Sequence, residues 1–211
     1  MDINKQIDQL IGVTESYKAP EKLLEIVLDY HRLKKVTLEM LKVHNYKMDY
    51  DWFHEYFQSE HADRKNNKQD FTPNSIGNLL IRLNRKTEGI IYEPACGTGG
   101  IIIQNWNVAR EQYGILHFNP NDRLYICEEL TDRTIPFLLF NLALRGVNAI
   151  VVQCDVLTRK AKAFYHVFNE NNDFMEISEV SKIEPFHAKK VLGEFGLVYY
   201  LDEEKEGEKI E

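Results

Sequence analysis

The chain has 211 residues, 44% apolar and 28% charged, enough material for one domain with a real core and a small appendage. No apolar run approaches the ~20 residues of a bilayer-spanning helix, and the opening "MDINKQIDQL" lacks the apolar centre of a secretory leader. The net charge of −7 is uneven: residues 171–211 hold 5 basic and 11 acidic side chains, so no basic face is present to grip nucleic acid unaided.

Taken in chain order, the first 70 residues read as helical. Pro20 suits a first helical turn, and Leu23, Leu24, Val27 and Leu28 recur at helical spacing. In "DYDWFHEYFQSEHA", Trp52, Phe53, Tyr56 and Phe57 share one helical face, which serves packing or a partner surface. A polar break over residues 63–70 separates this part from the remainder. Beyond it "TPNSIGNLLIRL" places Thr72 as an N-cap and Pro73 at the first helical position.

From there helices and strands alternate. Residues 90–93 form a short strand, and a helix is expected from about residue 99 to 113. "RLYICEEL" is a second strand, "TIPFLLFNLALRG" a helix closed by Gly146, and "NAIVVQCDVL" a third strand. Strands joined by helices of this length pair in parallel, which defines a doubly wound, Rossmann-like α/β sheet with its ligand outside the carboxyl ends of the strands. "AFYHVF" and "GLVYYL" can each add a strand, and the acidic end "LDEEKEGEKIE" reads as a solvated tail. The expected organisation is a helical segment over 1–70, an α/β domain over 71–200, and a tail over 201–211.

"IIYEPACGTGGIII" runs from strand to glycine turn to helix. Glycines permit positive φ and let a ligand approach the backbone, while the following helix offers free N–H groups and partial positive charge. The dinucleotide fingerprint fits poorly, because Glu93 precedes the turn and the next strand-end acid, Glu128, lies well beyond ~20 residues after it. Glu93, Glu128 and Asp155 close three successive strands. Such acids suit a cationic ligand bearing a sugar and a base: Glu93 against an ammonium or sulfonium, Glu128 on ribose hydroxyls, Asp155 on an exocyclic amine. S-adenosylmethionine carries all three features. The bland alternative is that the acids cap neighbouring helices.

Over residues 71–157 the chain resembles the amino-terminal half of N6-adenine DNA methyltransferases, particularly the modification subunits of type I restriction systems. The F-T-P segment, E-P-A-C-G-T-G-G turn, acid-ended strand, N-L-x-L-x-G and D-x-L occur in that order. The resemblance implies S-adenosyl-L-methionine as cofactor, with Thr72 and Pro73 at its methionine end and Glu93, Ala95, Gly97, Thr98 and Gly99 around the turn. Glu128 would take the ribose, and Asp155 with Val156 the adenine edge. Phe71 either contacts the ligand or staples its own helix.

The family's acceptor motif, Asn-Pro-Pro-Phe/Tyr, is absent from residues 156–211. It matters because a flipped adenine needs acceptors for its amine and an aromatic platform. "FNENNDF" has asparagines without proline, and "IEPF" has Ile183 where the asparagine belongs, ahead of Phe186. Two functions therefore stand: an adenine-specific DNA methyltransferase acting with a protein partner or as a homo-oligomer, or an inactive binding protein that keeps the pocket. A small-molecule methyltransferase is a third. DNA contact is expected to be weak without help, with no membrane role.

His31, His44, His54 and His61 lack metal-ligand spacing and read as solvated. Cys96, Cys127 and Cys154 each lie near a strand's carboxyl end and read as buried small residues, with a thiolate cluster as the alternative. Their odd number and wide spacing suit reduced thiols and a cytoplasmic location.

Overall fold

The computed structural model describes residues 2–60, 77, 79–81, 83 and 87–201. Phe71, Thr72, Pro73, His61, the polar break and the acidic end beyond Leu201 lie outside the described residues.

Four helices come first: α1 (Ile3–Ile11), α2 (Ala19–Val27), α3 (Tyr30–Val43) and α4 (His54–Glu60). Local chemistry sets their ends. Asp2 and Asp29 accept the Asn4 and Arg32 amides at the starts of α1 and α3, and Pro20 opens α2. Alternating elements follow: β1 (Gly89–Glu93), α5 (Gly100–Tyr113), β2 (Arg123–Glu129), α6 (Ile135–Leu144) and β3 (Ala149–Asp155). The three strands pair in parallel and in sequence order, Glu93 opposite Cys127 and Glu128 opposite Val152. The sheet is mixed, its first three strands parallel and joined by helices, which makes an α/β fold.

After β3 the chain reverses. β4 (Lys160–Phe168) runs antiparallel along β3, with Asp155 opposite Lys160. β5 (Glu179–Lys182) pairs antiparallel with the far half of β4, α7 (Pro185–Gly193) follows, and β6 (Tyr200–Leu201) returns in parallel beside the start of β4. The two expected extra strands are thus β4 and β6, while β5 and α7 carry too few apolar residues to stand out in sequence. Within the sheet as described, β1 lies at the margin, with Ile90 and Tyr92 37% and 41% exposed.

Residues alternate between two packed faces. Tyr125, Cys127, Ala149 and Val151 meet α5, α6 and the amino-terminal helices in one cluster. Ile126, Val152 and Phe164 meet α7 and Tyr199 in the other. Every residue of α6 is buried, because the amino-terminal helices cover the side that the sheet leaves open. Phe137 of α6 contacts Phe53, Tyr56 and Phe57 at centroid separations of 4.9, 5.7 and 5.5 Å. The aromatic face read from the sequence is therefore internal packing.

The cysteines divide between the faces, Cys96 and Cys127 in the first cluster and Cys154 in the second. That excludes a common thiolate site. His44 corrects the solvated reading: it is buried, stacks on Trp52 at 4.3 Å and shares a 2.8 Å hydrogen bond with the Tyr50 hydroxyl. Burial pulls its pKa down to about 4, so it is neutral at physiological pH. Among the described residues no helix is long and apolar enough to cross a membrane.

Candidate cofactor-binding site

The site is built where β1 ends. Ala95, Gly97 and Gly99 have φ of 59°, 58° and 97°, so the chain turns through the left-handed region before entering α5. Gly97 and Gly99 adopt this freely, whereas a Cβ at Gly99 would press on Leu138 Cδ1 at 3.0 Å. Ala95 carries real backbone strain, held by the Cys96 amide's 2.8 Å bond to the Glu128 carbonyl. At Gly100 a Cβ would meet nothing within 4 Å, so the first residue of α5 faces open space. No side chain caps that helix.

Two carboxylates brace the turn from behind. Glu129 accepts the Gly97 amide at 2.9 Å and the Thr131 amide at 3.0 Å. Asp51, half-buried, accepts the Thr98 hydroxyl and, at 2.8 Å, the Asn141 amide, which also reaches the Thr98 carbonyl. Arg145 ties the same segment down through the Met48 and Tyr50 carbonyls at 3.0 and 2.7 Å. Burial raises the Asp51 pKa, opposed by these donors and by Arg145. Thr98 thus spends its hydroxyl on the amino-terminal segment and serves as scaffold. Neither Asp51 nor Glu129 was among the residues picked from sequence. Asn141 and Arg145 belong to the N-L-x-L-x-G stretch, whose physical role is to clamp the turn.

The three strand-end acids differ sharply. Glu93 is half-buried, and its Oε2, shut off from solvent, has no hydrogen-bond partner among the described residues; desolvation pushes its pKa up to about 8. An orphaned carboxyl oxygen is the kind of feature a cationic ligand would satisfy. Glu128 is wholly buried and already occupied: Tyr92 donates to Oε2 at 2.8 Å, Arg159 Nη1 to the same oxygen at 3.0 Å, and Tyr199 to Oε1. Arg159 Nη2 also lies 2.9 Å from Oε1. Asp155 turns Oδ1 to the Leu157 and Thr158 amides at 2.9 and 3.4 Å, which lowers its pKa, and it sits with Val156 at the partly exposed rim. The orphaned Glu93 carboxyl and the open glycine turn suit the cationic amino-acid portion of S-adenosylmethionine. Both Glu128 oxygens are thus covered by Arg159 and a tyrosine hydroxyl.

The segments after β3 bear on the acceptor motif. β4 starts at the carboxyl end of the sheet and leaves it, so "FNENNDF" lies at the opposite end, about 20 Å away along the strands. Phe186 is 75% exposed in the first turn of α7, which follows β5, four strand spacings from β1 or about 19 Å. Neither segment reaches the turn. A Pro-Phe pair is a short signal, and here it opens a helix.

Fold and turn together are those of the Rossmann-like methyltransferase fold. A family model described as N-6 DNA Methylase matches residues 48–185, and the chain belongs to that family, whose members use S-adenosyl-L-methionine as methyl donor. The match begins inside the amino-terminal segment, just ahead of Asp51. The chain is similar to the type I restriction enzyme HindI methylase subunit of Haemophilus influenzae, 31% identical over 97 residues, 45% of this chain and 21% of that protein. It is also similar to the type I restriction enzyme MjaVIII methylase subunit of Methanocaldococcus jannaschii, 31% identical over 100 residues, 47% of this chain and 15% of that protein. The chain thus spans about a fifth or less of the length of these curated relatives.

Proposed function

We propose that this chain binds S-adenosyl-L-methionine at the β1–α5 turn and serves adenine-specific DNA methylation as one part of a larger methylase assembly. The observation that carries this reading is the unpartnered Glu93 Oε2, buried beside a glycine turn whose helix start faces open space. Glu93 would hold the ligand's ammonium or sulfonium charge, and the Gly97–Gly99 backbone would let the methionine portion lie against the main chain. Asp155 and Val156 would border the adenine, and Glu128 would take the ribose once freed. The cofactor supplies an activated methyl group; these residues bind and orient it.

Two features favour assembly over solitary action. The acceptor motif is missing after β3, and β1 lies at the margin of the sheet as described. The same features support the second reading, a binding protein without transfer chemistry. Calorimetry with S-adenosylmethionine on the wild type tests the common premise: absence of heat at millimolar ligand defeats both readings. Transfer of labelled methyl to adenine-containing DNA, alone and with the remaining subunits of a cognate methylase, separates them. Transfer in the reconstituted mixture supports the first, and silence there supports the second.

A further inference from the structure

Glu128 is an acid on the carboxyl edge of a parallel sheet, yet it is wholly buried and accepts three hydrogen bonds, from Tyr92 and Arg159 Nη1 on Oε2 and from Tyr199 on Oε1, with Arg159 Nη2 in ion-pair contact at 2.9 Å. A carboxylate offers about four lone-pair positions, so the protein itself already takes most of this one's capacity, with Arg159 and Tyr199 covering both oxygens. Tyr92 belongs to β1, but the other donors arrive from later chain. Arg159 sits in the β3–β4 turn with φ of 60°, a left-handed conformation in a non-glycine residue. Tyr199 immediately precedes β6.

These two are locked to one another. The Tyr200 amide donates to the Arg159 carbonyl at 2.9 Å, and Arg159 Nε donates to the Val198 carbonyl at 3.2 Å. The Arg159 guanidinium lies 4.3 Å from the centre of the Tyr199 ring, and that ring packs edge-on against Phe164 at 5.8 Å. Among the described residues β6 pairs through Tyr200 and Leu201, opposite Lys160 and Ala161. Around this join Leu157, Val198 and Tyr200 are exposed. The join of this edge segment to the rest of the sheet runs through the Glu128 carboxylate and the buried Tyr199 ring, so releasing that carboxylate loosens its polar anchor.

We propose that residues 197–201 and Arg159 form a strap that closes the nucleoside end of the site, so that Glu128 accepts a ribose only after the strap lets go. The proposal rests on the cofactor reading above and adds regulation of that site. In the closed form the methionine end is open and the nucleoside end is sealed. Affinity is then reduced by the fraction of molecules with the strap released, and whatever draws residues 197–201 away raises it. Because the strap's donors and the ribose hydroxyls compete for the same oxygens, the two cannot be satisfied together.

Hydrogen–deuterium exchange of the full-length chain, with and without saturating S-adenosylmethionine, reads the strap directly. The expected result is faster exchange of the Tyr200 amide in the complex; an unchanged or slowed amide in a chain that binds the compound overturns the strap and leaves the cofactor reading standing. Calorimetry on Tyr199→Phe and Arg159→Gln, each checked by circular dichroism, gives the second measure. About tenfold tighter binding in either folded variant, relative to wild type, supports the strap. Equal or weaker binding in the folded variants overturns it. Failure of the wild type and both folded variants to bind defeats the strap and the cofactor reading together.

Discussion

Glu93 makes the cofactor reading quantitative through its proton. Burial without a partner pushes its pKa up from 4.5 to about 8, so at pH 6.5 the free protein holds it almost wholly protonated. A cationic ligand at this carboxyl favours the ionised form, and binding at pH 6.5 should therefore expel about one proton. Calorimetry in buffers of different ionisation enthalpy counts that proton. Affinity should rise about tenfold per pH unit while Glu93 remains protonated, then level above its pKa. Glu93→Gln should expel no such proton and bind more weakly. A raised pKa also means that stability is fully present below pH 4.5 and is lost as pH climbs through about 8. The shift corresponds to roughly 5 kcal/mol, so the neutral Gln variant should be more stable than wild type at pH 8, by about 2–4 kcal/mol in denaturant titrations. Equal proton release from wild type and Glu93→Gln would refute the assignment of Glu93 to the ligand's charge.

Other consequences follow from the scaffold. Asp51→Ala strands the Thr98 hydroxyl, the Asn141 amide and the Phe53 amide in the interior, and should lower stability by about 3 kcal/mol in urea unfolding. Because Asp51 holds the turn itself, that variant should also lose cofactor affinity even where it stays folded. Gly146→Ala should lower stability by a similar amount, about 3 kcal/mol, since its φ is 64° and a Cβ there would collide with the Glu176 carbonyl. Phe186→Ala should change stability by no more than about 0.5 kcal/mol and leave cofactor affinity unaltered, as an exposed residue far from the turn.

What the sequence determined was local. The glycine turn, the helix caps and the strands with an acid at each end are written in spacing and residue type over a few positions, and β1, β2, β3, α5 and α6 fall where that pattern puts them. Period and capping depend on neighbours along the chain, so they can be read without the fold. Tertiary structure decided what those acids are free to do. Glu93 and Glu128 look equivalent as residues at strand ends, yet one has an oxygen without a partner among the described residues and the other is held by Arg159 and Tyr199, the latter 71 positions away. The same holds for Asp51, which reaches Thr98 across 47 positions and turns the amino-terminal helices into a wall of the site. Burial and pairing are properties of three-dimensional neighbours, and it is those that set whether a carboxylate waits for a ligand or is already spent on the protein.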